Sequence, residues 1–194
     1  MRLAPLHPEG GYLPLKDHGL LGDGTTAALV ARDGSVVWLC APRFDSPPLF
    51  CRLLDARRGG AFSVAPSTIV EAGQHYEEDT GVLVTELRGP AGLARIVDAL
   101  TLRSGSDLLE DAAAGRAELV RLVEIVEGQV TLEVAIEPYG GAQAVAEPEG
   151  LSLRCQARED LAVRLFCSRP LPGPRATFDS VSYTHLTLPT NREV

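Results

Sequence analysis

The stretch TTAALVARDGSVVWLC, residues 25–40, predicts a β-hairpin. Its two arms, Thr25–Val30 and Val36–Cys40, are apolar and partly β-branched, a composition that favours extended backbone. Between them, Arg32–Ser35 carries the polar and glycine residues that a tight turn requires. Because strands joined by a tight turn pair antiparallel, the stretch indicates an antiparallel β fold.

The same alternation of short apolar runs and turn residues continues through most of the chain. Apolar and polar residues alternate along Val130–Glu137, the period of two expected of a strand with one face in solvent. Tight connections are predicted at Gly89–Gly92 and at Glu127-Gly128. The predicted strands are Phe62–Ala65, Val82–Arg88, Leu93–Leu102, Leu119–Val126, Val130–Glu137, Leu151–Gln156 and Leu161–Cys167. Many short strands joined by turns favour an all-β fold, an antiparallel β-sandwich.

Helical periodicity is weak along the chain. A short helical turn is expected over Leu49–Leu54, and the acidic, alanine-rich segment Asp107–Ala117 fits either a short helix or a loop. The segment Ala41–Pro48 contains three prolines, which cannot donate ladder hydrogen bonds, so a structured loop is predicted there.

Composition restricts the classes of function. The chain has 194 residues, 45% of them hydrophobic, which is ample for a packed core. Eighteen basic against 26 acidic residues give a net charge of −8, which would repel a phosphate backbone, so no nucleic-acid partner is expected. Residues 1–12 lack the layout of a secretion signal, and no apolar run reaches the ~20 residues of a membrane helix. We therefore expect a cytoplasmic protein without a membrane partner.

Motifs for metals, cofactors and nucleophiles are absent from the sequence. The four cysteines, Cys40, Cys51, Cys155 and Cys167, are too far apart for a metal knuckle and lie in or beside apolar runs, so we expect buried thiols. No P-loop, GxGxxG, HExxH or GxSxG motif occurs, and the four histidines are scattered. No metal and no cofactor is predicted.

Three aspartates, Asp23, Asp45 and Asp98, are predicted at strand ends or in loops. A pair of carboxyl groups can act as general acid and base. However, aspartate is also common in turns because its side chain accepts hydrogen bonds from turn amides. We expect the turn role at all three positions.

The last residues have a separate origin in our interpretation. Residues 181–190, VSYTHLTLPT, have strand propensity, but they back-translate as GTC TCT TAT ACA CAT CTG ACG CTG CCG ACG. This DNA is similar to a transposase mosaic end and the adjoining read primer of a sequencing library. We therefore expect the natural sequence to run to about Asp179 and residues 180–194 to come from a library junction.

The block from Tyr12 to Pro47 resembles the opening of bacterial glucoamylase-like and trehalase-like enzymes of glycoside hydrolase family 15. The order and spacing of five pieces carry the resemblance: Tyr12–Asp23, Thr26–Val30, Arg32–Ser35, Trp38–Cys40 and Pro42–Pro47. Later pieces also look like that family's amino-terminal domain: Tyr76–Thr80, Val82-Leu83, Val97-Asp98, Leu119–Arg121, Val126–Gly128 and Glu137-Pro138. The resemblance extends from about Tyr12 to at least Tyr139. Its departures are His18 in place of an aromatic, Gly24-Thr25 after Gly-Asp, and Val37 in place of an acidic residue before the tryptophan.

The resemblance implies a two-part enzyme. An amino-terminal supersandwich-like β-domain precedes a carboxy-terminal (α/α)6 barrel, in which two glutamates invert the anomeric centre of a glucoside. Neither glutamate is expected within this chain. Residues 1–179 are thus predicted to be a non-catalytic support domain that is incomplete at its carboxy-terminal end. An incomplete sandwich would expose strand edges and would aggregate. Glucoamylase and trehalase activities are not distinguished.

The predicted partner of this domain is the missing catalytic barrel, with the Pro42–Pro47 loop at the interface. Arg43 and Asp45 lie beside prolines in that loop, which suits a fixed contact; an internal Arg–Asp bridge that holds the loop is the other interpretation. The alternative function is a free-standing carbohydrate-binding or interaction module. Its weakness is an aromatic content of 5% with one tryptophan, Trp38, which we expect to be buried.

Overall fold

The computed structural model describes residues 2–102, 115–148, 150–157, 161–181, 185–187 and 190–191. Within these ranges the chain forms fifteen strands, all paired antiparallel, and one 3-10 turn, Leu15–Asp17. The strands are β1 His18–Gly22, β2 Ala27–Ala31, β3 Ser35–Cys40, β4 Pro48–Phe50, β5 Ala61–Pro66, β6 Glu71–Tyr76, β7 Leu83–Arg88, β8 Gly92–Leu102, β9 Gly115–Glu137, β10 Ala142–Glu147, β11 Gly150–Cys155, β12 Ala162–Phe166, β13 Arg175–Val181, β14 His185–Thr187 and β15 Thr190-Asn191. The predicted all-β antiparallel fold is confirmed.

Two sheets share the long strand β9. Its second half pairs with β5 and β13, in the sheet that also holds β1 to β4. Its first half pairs with β8 in the other sheet, which continues through β7 to β6 on one side. On the other side, β14 pairs with β9, and β15 connects β9 to β12, β11 and β10. The apolar faces of the two sheets meet in the core.

The predicted tight connection at Glu127-Gly128 is wrong as a hairpin turn. The segments on either side pair with different strands and not with each other, so the structure has one 23-residue strand there. Pairing with β8 shifts register at this point, and Gly128 has φ +65°. A Cβ atom at Gly128 would lie 2.1 Å from the Ala91 carbonyl oxygen, so the position requires glycine. The residue lies where the strand passes from one sheet to the other.

The hairpin predicted from residues 25–40 is confirmed as β2 and β3. Its turn closes with a 2.9 Å hydrogen bond from the Gly34 N–H to the Ala31 carbonyl, and Gly34 has φ +82°. The turn at Gly89–Gly92 is confirmed between β7 and β8, with the Gly89 N–H donating to the Gly92 carbonyl. The remaining predicted strands correspond to β5, β7, β8, β9, β11 and β12.

The helical turn predicted over Leu49–Leu54 is wrong at its start. Leu49 and Phe50 belong to β4, which pairs with the end of β3 and buries both side chains. Only Arg52–Leu54 forms a turn. Burial on the sheet therefore determines the backbone of this short apolar run. Of the segment Asp107–Ala117, the residues up to 114 lie outside the described part of the chain, and Gly115–Ala117 begin β9.

The two ends of the sheet order differ in how their edges are covered. The β1 edge is capped by the Tyr76 hydroxyl, which accepts from the Leu20 N–H at 2.7 Å and donates to the Leu20 carbonyl at 2.9 Å. At the other end, β10 pairs only with β11 among the described strands, and five of its six side chains are exposed. Among the described strands, none pairs with the outer edge of β10, and an open strand edge can pair with another chain.

Candidate functional site

The loop between β3 and β4, residues 41–47, is held by backbone hydrogen bonds. It begins with a cis Ala41–Pro42 peptide bond. The Phe44 N–H donates to the Thr25 carbonyl at 3.0 Å, which ties the loop to the connection between β1 and β2. The Ser46 N–H donates to the Arg43 carbonyl at 3.0 Å. The predicted structured loop is confirmed, and it presents Phe44 with 66% of its surface exposed.

Arg43 and Asp45 form an ion pair on the surface of this loop. Arg43 Nε lies 3.0 Å from Asp45 Oδ1, and the two side chains are 60% and 56% exposed. The hydrogen bond from Arg43 lowers the pKa of the Asp45 carboxyl. The internal bridge weighed from the sequence is therefore present, but an ion pair so open to water adds little to stability.

Asp23 has the turn role expected from the sequence. It is buried, and its Oδ1 accepts the N–H groups of Thr25 at 2.9 Å and Thr26 at 2.7 Å. The Thr26 hydroxyl in turn donates to the Cys40 carbonyl. The β1–β2 connection is thereby fixed to the end of β3, beside the residue 41–47 loop.

Asp98 lies within β8 and not in a turn, so the prediction for this residue is wrong. It is fully buried and accepts two hydrogen bonds from the equally buried Arg121 on β9, Nε to Oδ1 at 2.7 Å and Nη2 to Oδ2 at 2.8 Å. Arg121 also donates to the Phe62 carbonyl at 3.3 Å, and its guanidinium carbon lies 4.9 Å from the centre of the Phe62 ring. Because Phe62 belongs to the opposite sheet, Arg121 crosses the interior and joins the two layers.

A groove of about 440 Å³ lies beside the loop that follows β4. Its walls come from residues 52–63, from the end of β9 with residues 138–142, and from Pro174-Arg175. Four guanidinium groups line it: Arg52, Arg57, Arg58 and Arg175. Arg52 pairs with Asp33 at 2.9 Å, and Arg175 pairs with Glu137. The groove is positively charged, although the net charge of the chain is −8. It could not be predicted from the sequence because its walls come from residues that are distant in the chain.

Described residues also line two further cavities on the surface. One, of about 480 Å³, is lined by residues of the β7–β8 turn, by Gln129–Thr131 and by Asp179. There the Thr131 hydroxyl donates to Asp179 Oδ1 at 2.7 Å. The other, of about 100 Å³, lies beneath the amino-terminal arm and includes His18 and Asp33. Each carboxylate that lines a cavity is already hydrogen-bonded to a neighbour, which suits a structural role.

The histidines, cysteines and tryptophan form no site within the described residues. His18 Nδ1 lies 3.0 Å from the Pro14 carbonyl oxygen. No disulfide joins the four cysteines; Cys40 and Cys155 are buried, and burial raises the pKa of the half-buried Cys51 and Cys167 thiols. Trp38 is half-buried, so its expected burial is only partial. In the same part of the chain no cluster of three or more His, Cys, Asp or Glu side chains could hold a metal.

The carboxyl groups with shifted pKa values, those of Asp45 and Asp55, suit fixed contacts and not proton transfer. The pKa of Asp55 is lowered by hydrogen bonds from the N–H groups of Arg58 and Arg57, as that of Asp45 is lowered by Arg43. A general acid needs a raised pKa, so neither carboxyl fits that task at neutral pH.

No helix in the described ranges is long and apolar enough to cross a membrane.

Comparison with known proteins finds relatives of this chain. The family described as trehalase-like, N-terminal matches residues 10–163. A trehalase of Thermoplasma volcanium is 33% identical over 147 residues, 72% of this chain and 22% of that protein. A trehalase of Mycolicibacterium smegmatis is 35% identical over 137 residues, 66% of this chain and 20% of that protein. Trehalase 1 of Sulfolobus acidocaldarius is 42% identical over 91 residues, 46% of this chain and 16% of that protein.

The family match runs from before β1 to the start of β12, and the alignments cover little of the relatives. The chain spans about a fifth of the length of the curated trehalases that it matches. No solved structure matches it.

Proposed function

Because this chain belongs to the trehalase-like N-terminal domain family, we propose that it is the amino-terminal support domain of an inverting α-glucoside hydrolase and does not itself break the glycosidic bond. The observation that carries the proposal is the small share of the relatives that the match covers, 20% of the Mycolicibacterium smegmatis trehalase. Most of that enzyme's length, and the room for its catalytic machinery, lies outside the matched region.

The placement of the carboxyl groups supports a structural role. Inversion requires a carboxylic acid and a carboxylate about 6.5–9.5 Å apart, with room between them for substrate and water. Asp98 is instead saturated by Arg121 inside the sandwich, and Asp23 is engaged with the amides of its own turn. Asp45 and Asp55 have lowered pKa values, so both remain ionised at neutral pH.

The partner in this proposal is a carboxy-terminal (α/α)6 domain of the kind found in glycoside hydrolase family 15, which supplies both glutamates. The β-domain buries one side of that barrel and orders its loops. The parent activity is that of a glucoamylase or a trehalase. The substrate, an α-glucoside, meets this domain only through the complete enzyme.

We also propose a cytoplasmic location. No disulfide joins Cys40, Cys51, Cys155 or Cys167, although two of them are only half-buried. Cysteines outside disulfides in this number are ordinary in the reducing cytosol and unusual in secreted domains of this size.

The residue 41–47 loop provides the test at residue level. In the full-length protein, Arg43→Ala should lower the rate of sugar release more than it lowers the melting temperature if the loop contacts the catalytic domain near its substrate. Arg88→Ala is the matched control, because Arg88 is also a surface arginine in an ion pair, with Glu127 at 3.2 Å. Parallel losses of rate and melting temperature in the Arg43 variant would indicate that Arg43 stabilises the loop and does not contact the catalytic domain.

Calorimetry separates the support domain from a carbohydrate-binding module. The 194-residue chain should show no heat of binding with trehalose, maltose or soluble starch. Saturable binding to any of these glycans would favour the module, in which the exposed Phe44 would be the first side chain to replace.

A further inference from the structure

One part of the surface combines exposed arginines with exposed tyrosine and leucine side chains. We call it the Arg–Tyr face and define it by Tyr12, Leu54, Arg57, Arg58 and Tyr139. Leu54 is 68% exposed, the two tyrosines are each 39% exposed, and both arginines are exposed. Tyrosine and arginine are the residues most enriched in the energetically important centres of protein interfaces.

The Arg–Tyr face is held rigid by the backbone beneath it. Asp55 Oδ1 accepts the N–H groups of Arg57 and Arg58, both at 3.0 Å. The Tyr12 hydroxyl accepts from the Ala56 N–H at 3.0 Å and so fastens the amino-terminal arm to the same loop. Because the backbone of this loop is already fixed, binding a partner orders the arginine side chains but need not order the loop.

Tyr139 is fixed to the same region from the other side. Its N–H donates to the Leu49 carbonyl at 2.8 Å. The β9 end approaches so closely that a Cβ atom on Gly60 would lie 2.0 Å from the Glu137 carbonyl oxygen and 2.9 Å from the Tyr139 nitrogen. Three distant parts of the sequence therefore converge on one face.

Charge on this face is only partly offset by the domain itself, because the Asp55 carboxylate attracts both Arg57 and Arg58. The guanidinium groups of Arg57 and Arg58 make no hydrogen bond to any described residue. Arg52 and Arg175 line the adjoining groove, each with one carboxylate partner. On a chain with a net charge of −8, a local excess of arginine favours a partner surface that carries carboxylates.

We propose that the Arg–Tyr face docks against an acidic surface of the carboxy-terminal portion that follows this domain in the complete enzyme. The inference rests on the proposed function, since it names the surface through which the support domain acts. We infer the partner of this face from charge and from length. The match covers only 20–22% of the trehalases, so about four-fifths of their length lies outside the matched region. Leu54 and the tyrosines supply the apolar contact, and Arg57 and Arg58 supply the charge.

The test is a charge reversal in the full-length protein. In the variant Arg57→Glu with Arg58→Glu, limited proteolysis should release the β-domain from the remainder about ten-fold faster than in the unsubstituted protein. This corresponds to a loss of ~1.4 kcal/mol in the stability of the docked state. Sugar release should fall in the same variant. Raising the salt concentration should weaken docking in the unsubstituted protein but not in the variant.

A variant with the same change of charge elsewhere is the control. Arg88→Glu with Arg169→Glu places two reversals beside the β7–β8 turn, whose cavity shares no lining residue with the groove at Arg57 and Arg58, and should leave the proteolysis rate near that of the unsubstituted protein. In the isolated 194-residue chain, the Arg57 and Arg58 reversals should leave the melting temperature unchanged, because both side chains are exposed. Equal proteolysis rates in the two reversed proteins would overturn the proposal.

Other occupants give distinct results. If the isolated chain forms a dimer by light scattering and the Arg57 and Arg58 reversals abolish it, the face binds a second copy and the proposal is wrong. Saturable binding of sulfate that the same reversals abolish would assign the face to a small anion and also overturn it. Deletion of residues 1–179 tests the proposed function separately: undiminished activity after deletion would refute the support role, whereas loss on deletion without loss on charge reversal would refute only the Arg–Tyr face.

Discussion

The Arg121–Asp98 pair and the Arg43–Asp45 pair consist of the same groups at similar distances, 2.7–2.8 Å in the first and 3.0 Å in the second. Their environments are opposite: both side chains of the first pair are 0% exposed, and those of the second are 60% and 56% exposed. Water solvates the exposed charges whether or not they pair, so that pair contributes little. In the interior the lost hydration of Asp98 is compensated by Arg121, and that of Arg121 by Asp98 together with the Phe62 carbonyl and ring.

The comparison therefore separates the parts of the molecule that hold the fold from those available for contact. Arg121 connects β8, β9 and β5, and thus the two sheets. Arg43 lies in a surface loop whose conformation is set by backbone hydrogen bonds. We infer that substitutions at the first pair report on folding and that those at the second report on function in the complete enzyme.

The largest effect is expected from breaking the buried pair. Arg121→Ala in the 194-residue chain should lower the free energy of unfolding by about 3–5 kcal/mol, because Asp98 is left as an uncompensated buried charge. Urea denaturation followed by circular dichroism measures the change. A loss below about 1 kcal/mol, the range of surface pairs, would remove the contrast between the two sites.

Replacing both buried charges together tests the reason for that loss. Arg121→Met combined with Asp98→Leu should recover most of the stability, because apolar groups of similar volume need no partner. The coupling energy from the double-mutant cycle should be at least ~2 kcal/mol, within the range known for residues in direct contact. If the double variant is as unstable as Arg121→Ala, the cavity and not the buried charge explains the loss.

A smaller effect is expected from the aromatic ring beneath Arg121. Phe62→Leu keeps the carbonyl that accepts from Arg121 but removes the ring that lies 4.9 Å from the guanidinium carbon. The free energy of unfolding should fall by about 1–3 kcal/mol through lost packing and lost cation–π attraction. In the Arg121→Met, Asp98→Leu background the same substitution should cost less, since no cation then faces the ring.

The smallest effect on stability is expected at the exposed pair. Arg43→Ala should leave the melting temperature of the 194-residue chain without a resolvable change, because both partners remain solvated. Differential scanning calorimetry measures it, with Arg88→Ala as a control at another surface pair. A clear fall specific to the Arg43 variant would show that the bridge holds more of the loop than its exposure implies.

The pH response of Asp45 sharpens the same point. Its pKa is lowered by Arg43, so any contribution to stability is complete above the ordinary aspartate pKa and is lost as the pH falls through the lowered value. Carbon-detected NMR titration should place the Asp45 midpoint below the ordinary value, and Arg43→Ala should move it back up. An unmoved midpoint in that variant would contradict the assigned cause.

Local patterns were sufficient to predict β2, β3, β5, β7, β8, β9, β11 and β12, but not β1, β4, β6, β10 and β13, nor the contacts between sheets. The residue 25–40 hairpin follows from β-branched arms and a turn with glycine at positive φ, all encoded within sixteen residues. The helical turn predicted at Leu49 failed because tertiary pairing with β3 overrides the local preference of a short run. Gly128 was recognised as a special position, but not as the point where one strand changes sheets.

The buried ion pair was missed because its members are 23 positions apart in sequence and lie on different strands. The available signal was a charged residue inside an otherwise apolar strand, at Asp98 and again at Arg121. The Arg–Tyr face also could not be predicted from the sequence, since Tyr12, Arg57 and Tyr139 come together only through the fold. Assignment of residues 180–194 to a library junction stays a prediction.

The central claim is that this domain supports a catalyst whose acid and base it does not contain. The direct test is to incubate the purified 194-residue chain with trehalose and with maltodextrin and to measure glucose release, after cooperative unfolding has shown that the sample is folded. We expect no release above the rate of the enzyme-free control. Glucose release that scales with the concentration of the chain would contradict it.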